Sequence, residues 1–251
     1  MEKFKNLIAR GALFVVSHSG GKDSQAMYSY IKNHVPEDQI FVVHASLGEV
    51  EWPQTIDHIK NTIDQEVEFE VVNAVWKDGT IKRLLDYVKH RGKFPSSRAR
   101  YCTSELKISP IWKAIRKYSK ENEQLLIVDC IGIRAEESKS RAEKGLIYSS
   151  PQFDDKNSKA GREVYRWYPI FFWSTDEVFN YISINGQNPH VCYSLGMSRC
   201  SCMFCIFSSK NDLKLAKKYF PKLFKKYCEL EEKINHTLKI CGTKLADFIG
   251  K

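Results

Sequence analysis

Apolar runs punctuate the chain at wide intervals, and polar, helix-forming stretches separate them. Residues 13–16 (Leu-Phe-Val-Val), 40–45 (Ile-Phe-Val-Val-His-Ala) and 125–133 are nearly continuous apolar segments of strand length. Residues 68–72 alternate charged and apolar positions, and 165–170 form a further short run. Residues 25–33, 53–65, 79–90, 104–119 and 174–184 read as helices. Strands that alternate with helices predict an α/β fold, a parallel five-stranded sheet with helices on both faces. This domain spans 1–184. A Cys-rich loop and a basic helical segment, 185–251, are expected to pack on it. The Gly/Ser/Asn/Asp/Lys-rich stretch 149–161 reads as a mobile surface loop. Ligands of such sheets sit beyond the carboxyl ends of strands. That rule gathers residues 17–24, 44–52 and 132–138 around one crevice.

Composition narrows the class. The 251 residues are 43% hydrophobic, enough for a sizeable core, and no run of 18 apolar residues offers a membrane span. The start, Met-Glu-Lys-Phe-Lys-Asn, has no signal-peptide apolar region, so a cytoplasmic location is expected. In that compartment the eight cysteines are thiols or metal ligands rather than a disulfide framework. The net charge of +9 is uneven. Residues 81–120 hold twelve Lys and Arg against Asp86 and Glu105, and 210–227 hold seven Lys against Asp212. Basic faces over 82–120 and 210–226 suit a polyanion such as nucleic acid, although solvated lysine-rich helices have the same composition.

The first strand runs into Ser19-Gly20-Gly21-Lys22-Asp23-Ser24 and then a helix. A small-residue turn at a helix N-terminus is an anion site, because free amides and the helix dipole converge on it. Gly20 and Gly21 permit close backbone approach, Ser19 and Ser24 add hydroxyls, and Lys22 adds charge. The common P-loop needs four residues before its Gly-Lys pair and Ser or Thr after the Lys; neither condition holds here. The run instead resembles the PP-loop, Ser-Gly-Gly-x-Asp-Ser, of the ATP pyrophosphatases. That likeness implies binding of ATP, or of a sulfonucleotide, through its phosphates.

Further candidates follow along the chain. The small residues after the second strand, with His44 and Ser46, suit an adenosine, and Glu49 or Glu51 could hold Mg²⁺; a loop before a Pro53-started helix explains the same residues. Cys102 is bracketed by Arg98, Arg100 and Lys107, cations that match phosphate or sulfate oxygens and favour thiolate. Gly132, Arg134 and Arg141 suit an anion-binding strand end, with charge on an exposed helix as the competing account. Cys192, Cys200, Cys202 and Cys205 fall within fourteen residues and suit a 4Fe–4S cluster or a structural zinc. A redox Cys-x-x-Cys dithiol is a third reading of Cys202 and Cys205. Cys130 lies in the fourth strand as a core residue; Cys228 and Cys241 receive no ligand role.

In this order the segments resemble the phosphoadenosine phosphosulfate (PAPS) reductase family of PP-loop proteins, from Leu13 to about Cys205. The likeness is carried by the PP-loop, Cys102-Thr-Ser-Glu-Leu-Lys107, Gly132-Ile-Arg134-Ala-Glu-Glu-Ser138 with Arg141, Trp167-Tyr-Pro169, and Asn188-Pro189 with Tyr193 and Gly196. It implies a Rossmann-like, adenine nucleotide alpha hydrolase-like sheet, with Lys22, Asp23, Cys102 and Arg134 as catalytic residues. Cluster-bearing members have a Cys-Cys pair where this chain has Tyr101-Cys102. Cys102, Cys202 and Cys205 could serve with Cys200 or Cys192 as the fourth ligand. Alternatively the four clustered cysteines serve alone, as resembles the DNA phosphorothioation sulfurtransferases. The reductases' catalytic Glu-Cys-Gly-(Leu/Ile)-His tail is reduced here to Cys241-Gly242. The resemblance therefore implies ATP-dependent activation of an acceptor, DNA foremost, for sulfur transfer. A donor such as a cysteine desulfurase would supply the sulfur. Sulfonucleotide reduction through Cys241 and a non-catalytic nucleotide-binding subunit are the other readings, and the oligomeric state is open.

Overall fold

The computed structural model describes residues 2–147, 153–159 and 161–250. Along the chain, α1 (Glu2–Ala9) precedes β1 (Leu13–Ser17) and α2 (Lys22–Lys32). Next come β2 (Ile40–Ala45), α3 (Thr55–Lys60), β3 (Glu68–Val72) and α4 (Leu84–Arg91). A helical run follows as α5 (Tyr101–Thr103), a π-turn over Ser104–Ile108 and α6 (Ser109–Glu121). Then come β4 (Leu126–Cys130), α7 (Lys139–Ile147), β5 (Phe153–Lys159), β6 (Arg162–Trp167) and α8 (Thr175–Ile184). The chain ends with α9 (Lys210–Tyr219), α10 (Pro221–Ile234) and α11 (Leu245–Ile249).

The sheet order is β3-β2-β1-β4-β6-β5. β1 pairs in parallel with β2 and β4, and β4 with β6. All five expected strands are present. The sixth, β5, pairs antiparallel with β6 inside the stretch expected to be a loop. This corrects that expectation for 153–159; residues 149–152 and 160 lie outside the described residues. An edge strand has one neighbour, so Phe-Asp-Asp-Lys-Asn-Ser-Lys can form it without an apolar run.

Two compact units interleave along the chain, where the sequence places one boundary at 184/185. The first is Met1–His44, Thr55–Val71 and Ile111–His190; the second is Ala45–Gln54, Val72–Pro110 and Val191–Lys251. Strand alternation gives the first unit two buried sheet faces. Phe14, Val16, Ile40, Val42, Val128 and Cys130 share one core with Phe4 and Leu7 of α1, Met27 and Ile31 of α2, and Val178 and Ile182 of α8. The alternate residues Leu13, Val15, Phe41, Val43 and Ile127 are buried too. On that face the α6 ring of Tyr118 stacks on Phe41, with centroids 4.4 Å apart. Helices on both faces are thus seen in the packing.

The second unit has its own core, including Leu84, Val88, Phe94, Leu106, Phe204, Leu213, Tyr227 and Leu245. Two buried carboxylates organise it. Asp212 closes a capping box with Ser209 at the start of α9 and also accepts hydrogen bonds from Ser198 N (2.8 Å) and Ser198 Oγ (2.7 Å). This ties the cysteine-rich loop to α9. Glu231 on α10 accepts the amides of Leu238 (2.7 Å) and Leu245 (2.8 Å), which folds the tail back. No described helix is long and apolar enough to cross a membrane.

Candidate functional site

The first unit carries the glycine-rich loop. β1 delivers the chain to His18, and α2 begins at Lys22 with Gly21 as its N-cap. Gly21 has no side chain to cap the first-turn amides, so this terminus keeps its anion-binding character. The loop is braced from within. Ser24 Oγ donates to Gly21 O (2.9 Å) and accepts from Ser19 N (3.1 Å), and it lies 3.2 Å from Ser19 Oγ. Gly20 N donates to His18 Nδ1 at 3.1 Å, which places the proton of the neutral ring on Nε2. Burial, with His44 and His58 nearby, pushes His18 down to about 3. His44 Nδ1–H donates to the His18 carbonyl at 2.9 Å. His44 thus braces the loop from β2.

Two glycines make the geometry attainable. Gly20 has φ +77°, and a Cβ there would lie 2.7 Å from Thr55 Cγ2. A Cβ on Gly132 would lie 3.1 Å from the Asp23 carbonyl oxygen, so the end of β4 presses against the first turn of α2. Arg134 then reaches Asp23: its Nε donates to Oδ1 at 2.6 Å, while Lys22 Nζ lies 2.9 Å from Oδ2. The same guanidinium donates to Glu136 (2.6 Å), the Trp173 carbonyl (3.0 Å) and Thr175 Oγ1 (3.2 Å). Arg134 is 3% exposed, so it is a buried brace for Asp23. Arg141 pairs with Glu137. Both arginines expected at an anion site hold carboxylates here.

The remaining sequence candidates belong to the second unit. Ser46 Oγ lies 3.2 Å from Glu51 Oε2 and accepts from Gly48 N. Glu49 pairs with Lys226. Neither feature displays a magnesium site by itself.

Cys102, Cys202 and Cys205 line one cavity of 170 Å³, together with Lys107, Arg100, Arg199, Phe204, Phe207 and Tyr227. The π-turn explains how Cys102 and Lys107 share it. Five residues advance about 500° in an α-helix, which leaves such a pair about 140° apart. The wider winding over Ser104–Ile108, which follows Cys102 and includes Lys107, reduces that separation. Cys192, buried, and Cys200 are not among the lining residues; their sulfurs lie within 4.8 Å of each other. Of the two ligand sets read from the sequence, the cavity gathers Cys102, Cys202 and Cys205 of the first, without Cys200 or Cys192.

The electrostatics differ from the expectation for Cys102. Burial pushes its thiol up, against Thr103, Lys107 and Arg100, so the lowered value expected from neighbouring cations is not found. Burial takes Cys202 up to about 12 despite Lys107. Burial opposes the Lys107 charge, yet Cys202, Glu51, Cys205 and Cys102 together hold it above the ordinary lysine range. Three soft sulfur donors and one half-buried cation fit an anionic iron–sulfur cluster, whose binding would deprotonate the thiols. A structural zinc is usually closed by four ligands, and the cavity offers three sulfurs. The family resemblance already set Cys102 beside Cys202 and Cys205, whereas the sequence had no signal for the π-turn that follows Cys102 and carries Lys107.

The phosphoadenosine phosphosulfate reductase domain profile matches residues 13–207. An uncharacterized 37.8 kDa protein in the gpa 5′ region of Escherichia phage 186 is 27% identical, covering 82% of this chain and 70% of the relative. An uncharacterized Methanocaldococcus jannaschii protein is 25% identical over 85% of this chain, which spans 40% of that relative's length. The U34-tRNA thiolase NcsA from Methanococcus maripaludis, solved with its 4Fe–4S cluster, superposes with a TM-score of 0.50 and 16% identity. That match covers 100% of this chain and 83% of the thiolase. The PAPS reductase of Candida auris, solved as a phosphate complex, gives 0.45 and 13% identity over 75% of this chain and 80% of the reductase. At 16% identity the likeness to the thiolase is one of fold.

Proposed function

Because the chain belongs to the phosphoadenosine phosphosulfate reductase domain family, we propose that it is an ATP pyrophosphatase that activates a nucleic-acid oxygen for replacement by sulfur. DNA is the acceptor named first, its backbone oxygen becoming a phosphorothioate. The observation that carries the reading is the convergence of Cys102, Cys202 and Cys205 with Lys107 on one cavity, in a chain whose other unit holds an intact phosphate loop.

The residues divide the work. The α2 terminus and Lys22 bind the β- and γ-phosphates, with Mg²⁺ entering alongside the nucleotide. Asp23, fixed by Arg134, holds Lys22 in place. An acceptor oxygen attacks the α-phosphorus, the bond to the bridging oxygen breaks, and pyrophosphate leaves with both electrons of that bond. Lys22 stabilises the charge that develops. A sulfur nucleophile then attacks the activated centre, and AMP leaves with the original acceptor oxygen. Cys102, Cys202 and Cys205 would hold a 4Fe–4S cluster, which supplies an iron with no protein thiolate where sulfide can be kept. The exposed lysines and arginines at 113, 116, 117 and 120, spaced along one face of α6, would contact phosphates.

A specific observation keeps a second reading in view. Cys241 is exposed, and hydrogen bonds from Thr243 draw its thiol below the ordinary range, as a reductase nucleophile would need. The two are separated by measuring products. Pyrophosphate release from ATP, stimulated by an oligonucleotide and sulfide, is expected. Thiol-dependent sulfite release from a sulfonucleotide, without ATP and abolished by Cys241→Ser, would replace the proposal with the reductase reading.

A further inference from the structure

The residues lining the cysteine cavity are of two kinds. Phe204, Tyr227 and Leu238 are buried and form its base, whereas Arg100, Arg199 and Phe207 are exposed and so mark its opening. Phe207 follows Cys205 by two residues, and 44% of its surface meets solvent. Isolated exposed aromatics are ordinary. This one differs in its company. The Arg100 guanidinium lies over the ring, 5.3 Å from the centroid. Arg83, Arg98, Arg100, Arg116, Arg162 and Arg199 have no carboxylate partner among the described residues, and of these Arg100 and Arg199 line the cavity.

A flat ring with a stacked guanidinium and a second unpaired arginine matches the parts of a nucleotide. Bases stack on aromatic and guanidinium planes whatever their sequence, and arginine takes the phosphates. A base inside a duplex has both faces covered and cannot reach such a platform. An acidic peptide would pair with the arginines but has no use for the ring face. The cavity, at 170 Å³, is below the range of about 300–1,000 Å³ that encloses whole drug-sized ligands, so most of a polymer must stay outside it.

We propose that Phe207, Arg100 and Arg199 form a stacking clamp that takes one unpaired nucleotide of a single strand at the opening of the cysteine cavity. The proposal rests on the nucleic-acid acceptor argued above and adds which form of acceptor is bound and by which residues. The base adds to the Phe207–Arg100 stack, and its flanking phosphates meet Arg100 and Arg199.

The test is equilibrium binding of the full chain to a fluorescein-labelled thymidylate 12-mer, to its oligouridylate counterpart and to a duplex of equal length, without ATP or sulfide. Single strands are expected to bind more tightly than the duplex. Phe207→Ala should weaken single-strand binding about fivefold or more, with little change for the duplex, while Phe207→Tyr should bind like the parent. Arg100→Gln and Arg199→Gln should each lower the slope of log affinity against log salt by about 0.7, the single-strand value for one phosphate contact. Unchanged thermal midpoints would place these losses at the surface. Equal binding of Phe207→Ala and parent, or equal binding of duplex and single strand, overturns the clamp and leaves a nucleic-acid acceptor standing. Binding to none of the three probes overturns the acceptor and the clamp together.

Discussion

Asp23 and Arg134, 111 residues apart, form a 2.6 Å ion pair that fixes the first turn of α2 to the loop after β4. Lys22 holds the other Asp23 oxygen at 2.9 Å. The pair is partly buried, with Arg134 at 3% and the Asp23 side chain at 23% exposure. Removing Arg134 leaves Asp23 with Lys22 alone and a hydrogen bond to a charged group lost, at a cost of about 2 kcal/mol. Arg134→Ala also strips donors from Glu136, the Trp173 carbonyl and Thr175. Denaturant unfolding should show that loss. Asp23→Asn keeps a hydrogen-bonding oxygen for Arg134, which retains Glu136, but removes the ion pair with Lys22. It should unfold near the parent midpoint while ATP cleavage falls by about tenfold or more. Equal stability of Arg134→Ala and the parent would remove the brace from this account.

Gly20 separates steric from backbone strain. An Ala there meets Thr55 Cγ2 at 2.7 Å and must also keep φ +77°. We expect Gly20→Ala to lose about 1–3 kcal/mol and to bind ATP more weakly. Adding Thr55→Ser removes the clashing methyl and should restore only part of the loss, because the left-handed backbone remains. Full restoration would assign everything to the clash, and no restoration everything to φ.

The sheet and its loop were legible because β1, β2 and β4 are continuous apolar runs and the phosphate-loop residues are adjacent in sequence. The Cys102 partnership was less so. Lys107 shares the cavity with Cys102 from within a π-turn, and no residue pattern over Ser104–Ile108 marks that wider winding. Adjacency in sequence favoured Cys192 and Cys200, yet neither lines the cavity. The cations around Cys102 were visible in the chain, whereas the burial that outweighs them was not. The polar β5 was hidden for the opposite reason, since an edge strand needs no apolar signature.

Histidines behind the loop set an acid limit on the fold. His18 sits at about 3 through burial, with His44 and His58 adding to the effect, and His58 at about 4 through burial and its neighbour His190. Their folded values lie below the unfolded value of about 6.5, so below that pH the unfolded chain binds protons that the folded chain refuses. The stability is fully present above pH 6.5 and is lost as pH falls toward 4 and then 3. For the fully buried His18 the slope approaches about 1.4 kcal/mol per pH unit; His58, partly reached by solvent, adds less. His18→Asn should flatten the dependence of the urea midpoint between pH 6.5 and 4, even if the variant is less stable throughout. A parent slope retained in that variant would place the acid sensitivity elsewhere.

The three-sulfur cavity predicts an unequal cysteine series. Cys102→Ser, Cys202→Ser and Cys205→Ser each remove a donor that lines the cavity. After anaerobic reconstitution with iron and sulfide they should lose the broad absorbance at about 400 nm and hold little iron. Cys192→Ser changes a fully buried side chain, so it should lower the thermal midpoint. Its iron content per folded chain should nonetheless match the parent, and so should that of Cys200→Ser. The comparison is made on iron per folded chain, so that lost stability is not mistaken for lost ligation. If Cys192→Ser and Cys200→Ser lose the cluster while Cys102→Ser keeps it, the four clustered cysteines are the ligands and the cavity assignment falls.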